Sequence, residues 1–153
     1  FGPVAKLSTA KPFLLSTDFE EYLIQKQINA KIELVKGIIY QLELCLLVAI
    51  QHIDMRQTPT FNFCMVYEEY KNFMNDLAVK GKNMRMRKWD AALKSFEHLM
   101  LMELITPMEG VMKSRKEYRM MRVLLEPNEI FDAVSNHKGC PLVIKNWSQS
   151  SRL

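Results

Sequence analysis

The most apolar stretch of the chain, Ile38 to Ile53, sets hydrophobic side chains on nearly every face of a helix, with Glu43 and Gln51 as its main interruptions. Its length favours helix over strand, and a helix that is apolar all round belongs between other elements. Thr58-Pro59 forces a break after it. Asn62 then reads as the N-cap of a second core helix, with Phe61 and Val66 placed as a hydrophobic staple around it. That helix carries Phe63, Val66, Tyr67, Tyr70, Phe73, Met74 and Leu77 at spacings of three and four, and it stops before Gly81. A third helix is expected from about Arg87 to Leu104, with Trp89, Ala92, Leu93, Phe96, Leu99, Met100 and Leu104 inward. Arg87, Lys88, Lys94, Ser95 and His98 fall on its other side.

After Thr106-Pro107 the helical period is lost. A hairpin is expected, with strands at roughly Ile105 to Glu109 and Tyr118 to Leu124 and a loop from Gly110 through Lys116. Pro127-Asn128 opens a short helix over Glu129 to Val134, and a last one holds Val143, Ile144 and Trp147. At the other end, Pro3 and Pro12 make residues 1–16 a linker, and a first helix starts after Thr17 or Asp18 and fades near Asn29. The expected division is a linker with its helix over 1–36 and a domain with a C-terminal helical extension over 37–153. Its core should include Leu46, Ile50, Val66, Tyr70, Phe73, Leu93, Phe96 and Leu99. Three helices followed by a hairpin give a mainly α fold of the winged-helix type, a variant of helix-turn-helix.

Charge changes the picture because of where it sits. The net charge of +4 is uneven: residues 80–122 hold 11 Lys/Arg against 5 Asp/Glu, whereas residues 1–79 hold 7 against 9. A local basic stretch suits a polyanion, nucleic acid being the commonest, and a solvated face without a partner is the alternative. Lys80, Lys82, Arg85, Arg87 and Lys88 precede and open the third core helix, and Lys94 lies within it. Lys113, Arg115 and Lys116 occupy the hairpin loop, or wing. In a winged helix these two places meet DNA phosphates. The outer face of the third helix offers no Asn or Gln to pair with adenine, and Arg87 alone could read guanine, so backbone contact without sequence preference is expected.

Catalytic chemistry finds little support. The five glycines are isolated and form no phosphate-cradling loop. His52, His98 and His137 are scattered, and His137-Lys138-Gly139-Cys140 has only half of a zinc-site spacing. No metal, cofactor or membrane span is expected. Three widely spaced cysteines argue for a reducing compartment rather than a disulfide framework. Met84, Met86, Met102, Met108 and Met112, among 11 Met, are not clearly core and suit adaptable protein contacts. Opening on Phe1-Gly2-Pro3 without an initiator Met, the chain reads as part of something longer.

Several stretches in consistent order resemble the C-terminal portion of the subunit-four family of the origin recognition complex. They are Lys11-Pro-Phe-Leu14, Leu42-Glu-Leu-Cys-Leu-Leu-Val-Ala-Ile-Gln-His-Ile53, Phe61-Asn-Phe-Cys-Met-Val-Tyr-Glu-Glu-Tyr70, Phe96-Glu-His-Leu99 with Glu103-Leu-Ile-Thr-Pro-Met-Glu109, Glu117-Tyr118, and Asn146-Trp-Ser-Gln-Ser-Ser151. The resemblance covers about residues 11 to 153. It implies a nuclear, multi-subunit ring that encircles origin DNA and loads the replicative helicase. An ATPase-like (AAA+) module would lie upstream of this chain, with ATP and magnesium held only in the wider complex. The chain would be a non-enzymatic winged-helix module meeting double-stranded DNA and neighbouring subunits. A docking module that never touches DNA is the alternative.

Overall fold

The computed structural model describes residues 16–36, 41–82, 84–108 and 114–150. The linker before residue 16, Ile38 to Tyr40, and Glu109 to Lys113 of the expected hairpin lie outside the described residues. Helix α1 spans Ser16–Lys36, α2 Gln41–Met55, α3 Phe63–Val79 and α4 Trp89–Leu101. Strands β1 (Ile105–Pro107) and β2 (Met121–Val123) follow, then α5 (Pro127–Ser135) and α6 (Leu142–Ser150).

Helix α2 is the centre of the molecule. Every residue from Leu44 to Ile50 is buried, and α3, α4, α5 and α6 all pack on it. A helix apolar on all faces is stable only when covered on all faces. Asn62 caps α3 as expected, its side chain accepting a hydrogen bond from the Met65 amide at 3.0 Å. Gly81, at φ +73°, ends that helix: its amide donates to the Ala78 carbonyl, and that of Lys82 donates to Leu77. This is the glycine-terminated Schellman closure.

Helix α4 is shorter than its apolar period suggests. It begins after an extended Lys88 and ends in the same kind of closure, with Glu103 taking the left-handed place at φ +58°. The Glu103 and Leu104 amides donate to Met100 and Leu99. No glycine marks this end, so the periodic residue Leu104 looked helical, although it is buried beyond the helix. Trp89, expected inward, is half-exposed, its ring set edge-on to Phe63 at 4.8 Å and Tyr67 at 5.2 Å. Phe73 and Leu93 are half-buried at the margin of the core, and the other expected core residues are buried.

The hairpin is antiparallel, pairing Ile105 with Val123, Thr106 with Arg122 and Pro107 with Met121. Its second strand is shorter than expected, because Lys116–Tyr118 forms a 3₁₀ turn instead of extended chain. Phe61 bridges the free edge of β2, exchanging both backbone hydrogen bonds with Met121. The residue between α2 and α3 therefore ties the helices to the hairpin, and the whole is a winged helix.

Two helices complete the domain. Helix α5 begins earlier than expected, on Pro127, closed by a capping box between Glu126 and Glu129. Helix α6 clasps α2. The Ser148 hydroxyl donates to Gln51 Oε1 at 2.7 Å, and the Gln51 amide reaches the Pro127 and Ser148 carbonyls. His52 Nε2 lies 2.8 Å from the Trp147 carbonyl, and the Trp147 ring stacks on Phe73 with centroids 3.9 Å apart. Helix α1 runs on to Lys36, past the expected end near Asn29, and lies alongside α5.

Two outcomes follow from this packing. Phe96 is 3% exposed, with Phe63 and Phe61 set edge-on to its ring. Phe96→Ala should therefore cost about 3–5 kcal/mol in denaturant unfolding, and a neutral result would mean that α4 is misoriented. Burial, the largest influence, holds the His52 imidazole below its ordinary value of 6.5, opposed by the Trp147 carbonyl and Glu69. The unfolded chain then binds the proton more readily, so this contribution is intact above pH 6.5 and lost as pH falls below it. His52→Gln should flatten the slope of stability between pH 7 and the acid limb, relative to the unaltered chain, in thermal melts at stepped pH.

Candidate nucleic-acid interface

The loop between α3 and α4 is fixed through backbone, not through its charges. The Arg87 amide donates to the Tyr70 hydroxyl at 2.9 Å, and the Tyr67 hydroxyl donates to the Arg87 carbonyl at 3.1 Å. Both tyrosines stand on the buried stripe of α3. Burial, before any other influence, pushes the Tyr70 hydroxyl above its ordinary range, so it stays protonated. Two buried phenols thus hold both sides of one peptide residue, and Lys88 enters α4 in an extended conformation.

The clamp sets the basic side chains on a groove. Arg85 and Arg87 from the loop and Lys94 from α4 line one depression of ≈ 960 Å³, together with Ser95 and Gln41. Its lining is apolar below, with Leu42, Met74, Met84 and Val143. Glu43 is the one acid of that lining; it is 4% exposed and lies 2.6 Å from His98 Nδ1. The sole carboxylate of the lining is thus buried on α2 beside His98 of α4, while three cations line the same groove. His98, expected away from the apolar stripe of this helix, is exposed there and reaches this partner with Nδ1.

The remaining expected contacts divide. Lys80 closes α3 and is exposed, with its ammonium 2.9 Å from Asp76. Lys82 and Lys88 are exposed on the loop. Arg115 and Lys116 are exposed on the wing, and Lys116 Nζ sits 3.1 Å from Glu97 of α4. Such exposed pairs are worth about 0–1 kcal/mol and exchange readily for a stronger anion. Lys113 lies outside the described residues. The sequence reading missed Tyr67, Tyr70 and Glu43 as builders of the site. Tyrosine instead of Phe on a buried stripe was the available signal, since a buried hydroxyl needs a partner.

Other chemistry is poorly served. Burial pushes the Cys45 thiol up to about 12, far from a reactive thiolate. The His137–Cys140 segment is a turn, in which the Gly139 amide donates to His137 Nδ1 at 3.1 Å. Among the described residues no group of three or more His, Cys, Asp or Glu is placed to hold a metal ion, and no helix is long and apolar enough to cross a membrane.

Comparison with known proteins gives a consistent result. A family model described as the origin recognition complex subunit 4 C-terminus matches residues 1–134. Origin recognition complex subunit 4 of Xenopus laevis is 34% identical over 150 residues, covering 97% of this chain and 34% of that protein. That of Homo sapiens is 32% identical over 148 residues, covering 95% and 33%. Origin of replication complex subunit 4 of Arabidopsis thaliana is 26% identical over 145 residues, covering 94% and 34%. The chain spans about a third of the length of these relatives.

The clamp itself can be tested. Tyr70→Phe removes the acceptor of the Arg87 amide at a cost of about 1 kcal/mol. In hydrogen exchange the Arg87 amide should lose protection while the α2 amides keep theirs. Unchanged protection at Arg87 would mean that the tyrosines do not hold the loop.

Proposed function

The chain belongs to the origin recognition complex subunit 4 C-terminal family, and on that premise we propose that it is the winged-helix module through which such a subunit grips origin DNA by its phosphates. The observation that carries this reading is the gathering of Arg85, Arg87 and Lys94 on one groove beside the start of α4. Duplex DNA offers a regular row of phosphates, and affinity for them comes from cations held in register. The Tyr67–Tyr70 clamp supplies the register, and the free amides at the start of α4 add to the positive field. Arg115 and Lys116, with Lys113, would meet a second stretch of backbone from the wing; Lys80, Lys82 and Lys88 thicken the field between them. The chemistry is phosphate positioning, with little to read base edges.

In this reading residues 1–36 lead in from the rest of the protein and 37–153 form the module. The wider assembly is a nuclear ring of origin recognition subunits that helps load the replicative helicase, with ATP and magnesium bound by AAA+ modules elsewhere. This chain contributes binding and not catalysis. A second reading, docking without DNA, draws support from the apolar lining of the groove and from the Lys80–Asp76 and Lys116–Glu97 pairs.

The test is a titration of the assembled complex on two unrelated duplexes at several salt concentrations. Arg85, Arg87 and Lys94 replaced together by Ala should weaken both duplexes alike, and so should the same change at Lys113, Arg115 and Lys116. For every phosphate that is no longer neutralised, the slope of log affinity against log salt should flatten by about 0.9. Unchanged affinity and slope in both variants would favour docking alone, and a loss on one duplex only would mean base readout.

A further inference from the structure

On the other side of α4 the helix and the wing enclose a second, smaller cleft. It measures ≈ 160 Å³ and is floored by Leu93, Phe96, Met100 and Met121. An apolar cavity of about 150 Å³ admits a benzene molecule, so there is room for one large apolar side chain. Leu101 stands at its lip, 78% exposed, as the last residue of α4. None of Arg85, Arg87 and Lys94 lines it, so it is separate from the basic groove.

The rim is charged in a particular way. Glu97 and Lys116 neutralise one another across the cleft at 3.1 Å. That leaves Arg119 as the uncompensated charge of the lining. One of its terminal nitrogens donates to the Ser114 carbonyl at 3.3 Å, while its Nε is buried with no hydrogen-bond partner among the described residues. An unsatisfied N–H of this kind costs about 1–3 kcal/mol. A carboxylate arriving at the guanidinium fork would relieve that cost by drawing the group into a two-bonded pair.

We propose that the cleft between α4 and the wing is a docking slot for a partner protein segment that presents one large apolar side chain beside a carboxylate. The apolar floor takes the side chain, and Arg119 takes the acid. A nucleic-acid strand fits less well: its phosphates would gain Arg119 but would face Glu97 and leave the floor unfilled. The slot and the basic groove flank the same helix, so a partner seated here would brace α4 without competing for its cationic face.

Methyl-labelled Met in the full chain reports on both sites at once. Met100 and Met121 floor the slot, and Met74 and Met84 lie in the basic groove. The probe is a short synthetic peptide with a single Leu among Glu and Ser, compared with the same peptide carrying Lys for Glu. The Glu peptide should shift the Met100 and Met121 methyl resonances in a saturable way, about tenfold more tightly than the Lys peptide, a difference of about 1.4 kcal/mol. Leu101→Glu, at an exposed position that leaves the core intact, should weaken that response by a similar factor. Shifts confined to Met74 and Met84, equal responses to the two peptides, or no response would each overturn the proposal. So would saturable shifts of Met100 and Met121 with a short DNA duplex that exceed those produced by the Glu peptide, beyond the small change expected from contact at Lys116 on the rim.

Discussion

The structure depends on burying α2. Its run from Leu44 to Ile50 has no polar face to give to water, so the helix is stable only if other elements surround it. Full burial of each large apolar side chain contributes about 1.5–3 kcal/mol, and the sum of these sites dominates the stabilising side of the balance. Three helices and a hairpin do not suffice to cover such a cylinder. The C-terminal helices α5 and α6 supply the rest by packing on α2. The polar residues of α2 then act as fixed points. Gln51 Oε1 and His52 Nε2 find their partners on α6, the Gln51 amide also reaches Pro127 of α5, and Glu43 lies beside His98 of α4. An apolar helix alone would tolerate rotation; these partners remove that freedom.

The same logic places the charges. Flexible Lys and Arg side chains cannot order a loop by repelling one another, and a basic run at a helix start opposes the helix dipole. Order comes instead from Tyr67 and Tyr70, which bond the backbone of Arg87 from a helix already anchored on α2. The route runs from core to α3, from α3 to the loop, and from the loop to the cationic edge of the groove. A rigid support with adaptable cations on its rim suits backbone contact, where charge spacing matters more than the orientation of any single donor.

The two sides of α4 differ in chemistry for a reason visible in the fold. Toward α2 and α6 the groove is wide, and its one acid is held against the core by a histidine. Toward the wing, the bridge from Phe61 to Met121 draws β2 close, and what remains is a narrow apolar cleft. One helix thereby carries a broad cationic face and a small apolar slot, the first suited to a charged polymer and the second to a single side chain.

Much of this was legible along the chain. Hydrophobic period determined the three core helices and their order before the hairpin, and residue type determined the Asn62 cap and the Gly81 stop, because each rests on contacts within a few residues. It also placed the basic residues at the loop, the start of α4 and the wing. It misjudged the end of α4, where Glu103 adopts a conformation usually reserved for glycine, and the second strand, whose first residues form a 3₁₀ turn. Only the tertiary structure decided that Trp89 lies half out of the core, that Arg85, Arg87 and Lys94 share a groove, and that Lys116 and Lys80 have acidic neighbours. Those facts depend on which surfaces meet across long sequence separations, and a pattern read along the chain registers period and charge but not the partner opposite.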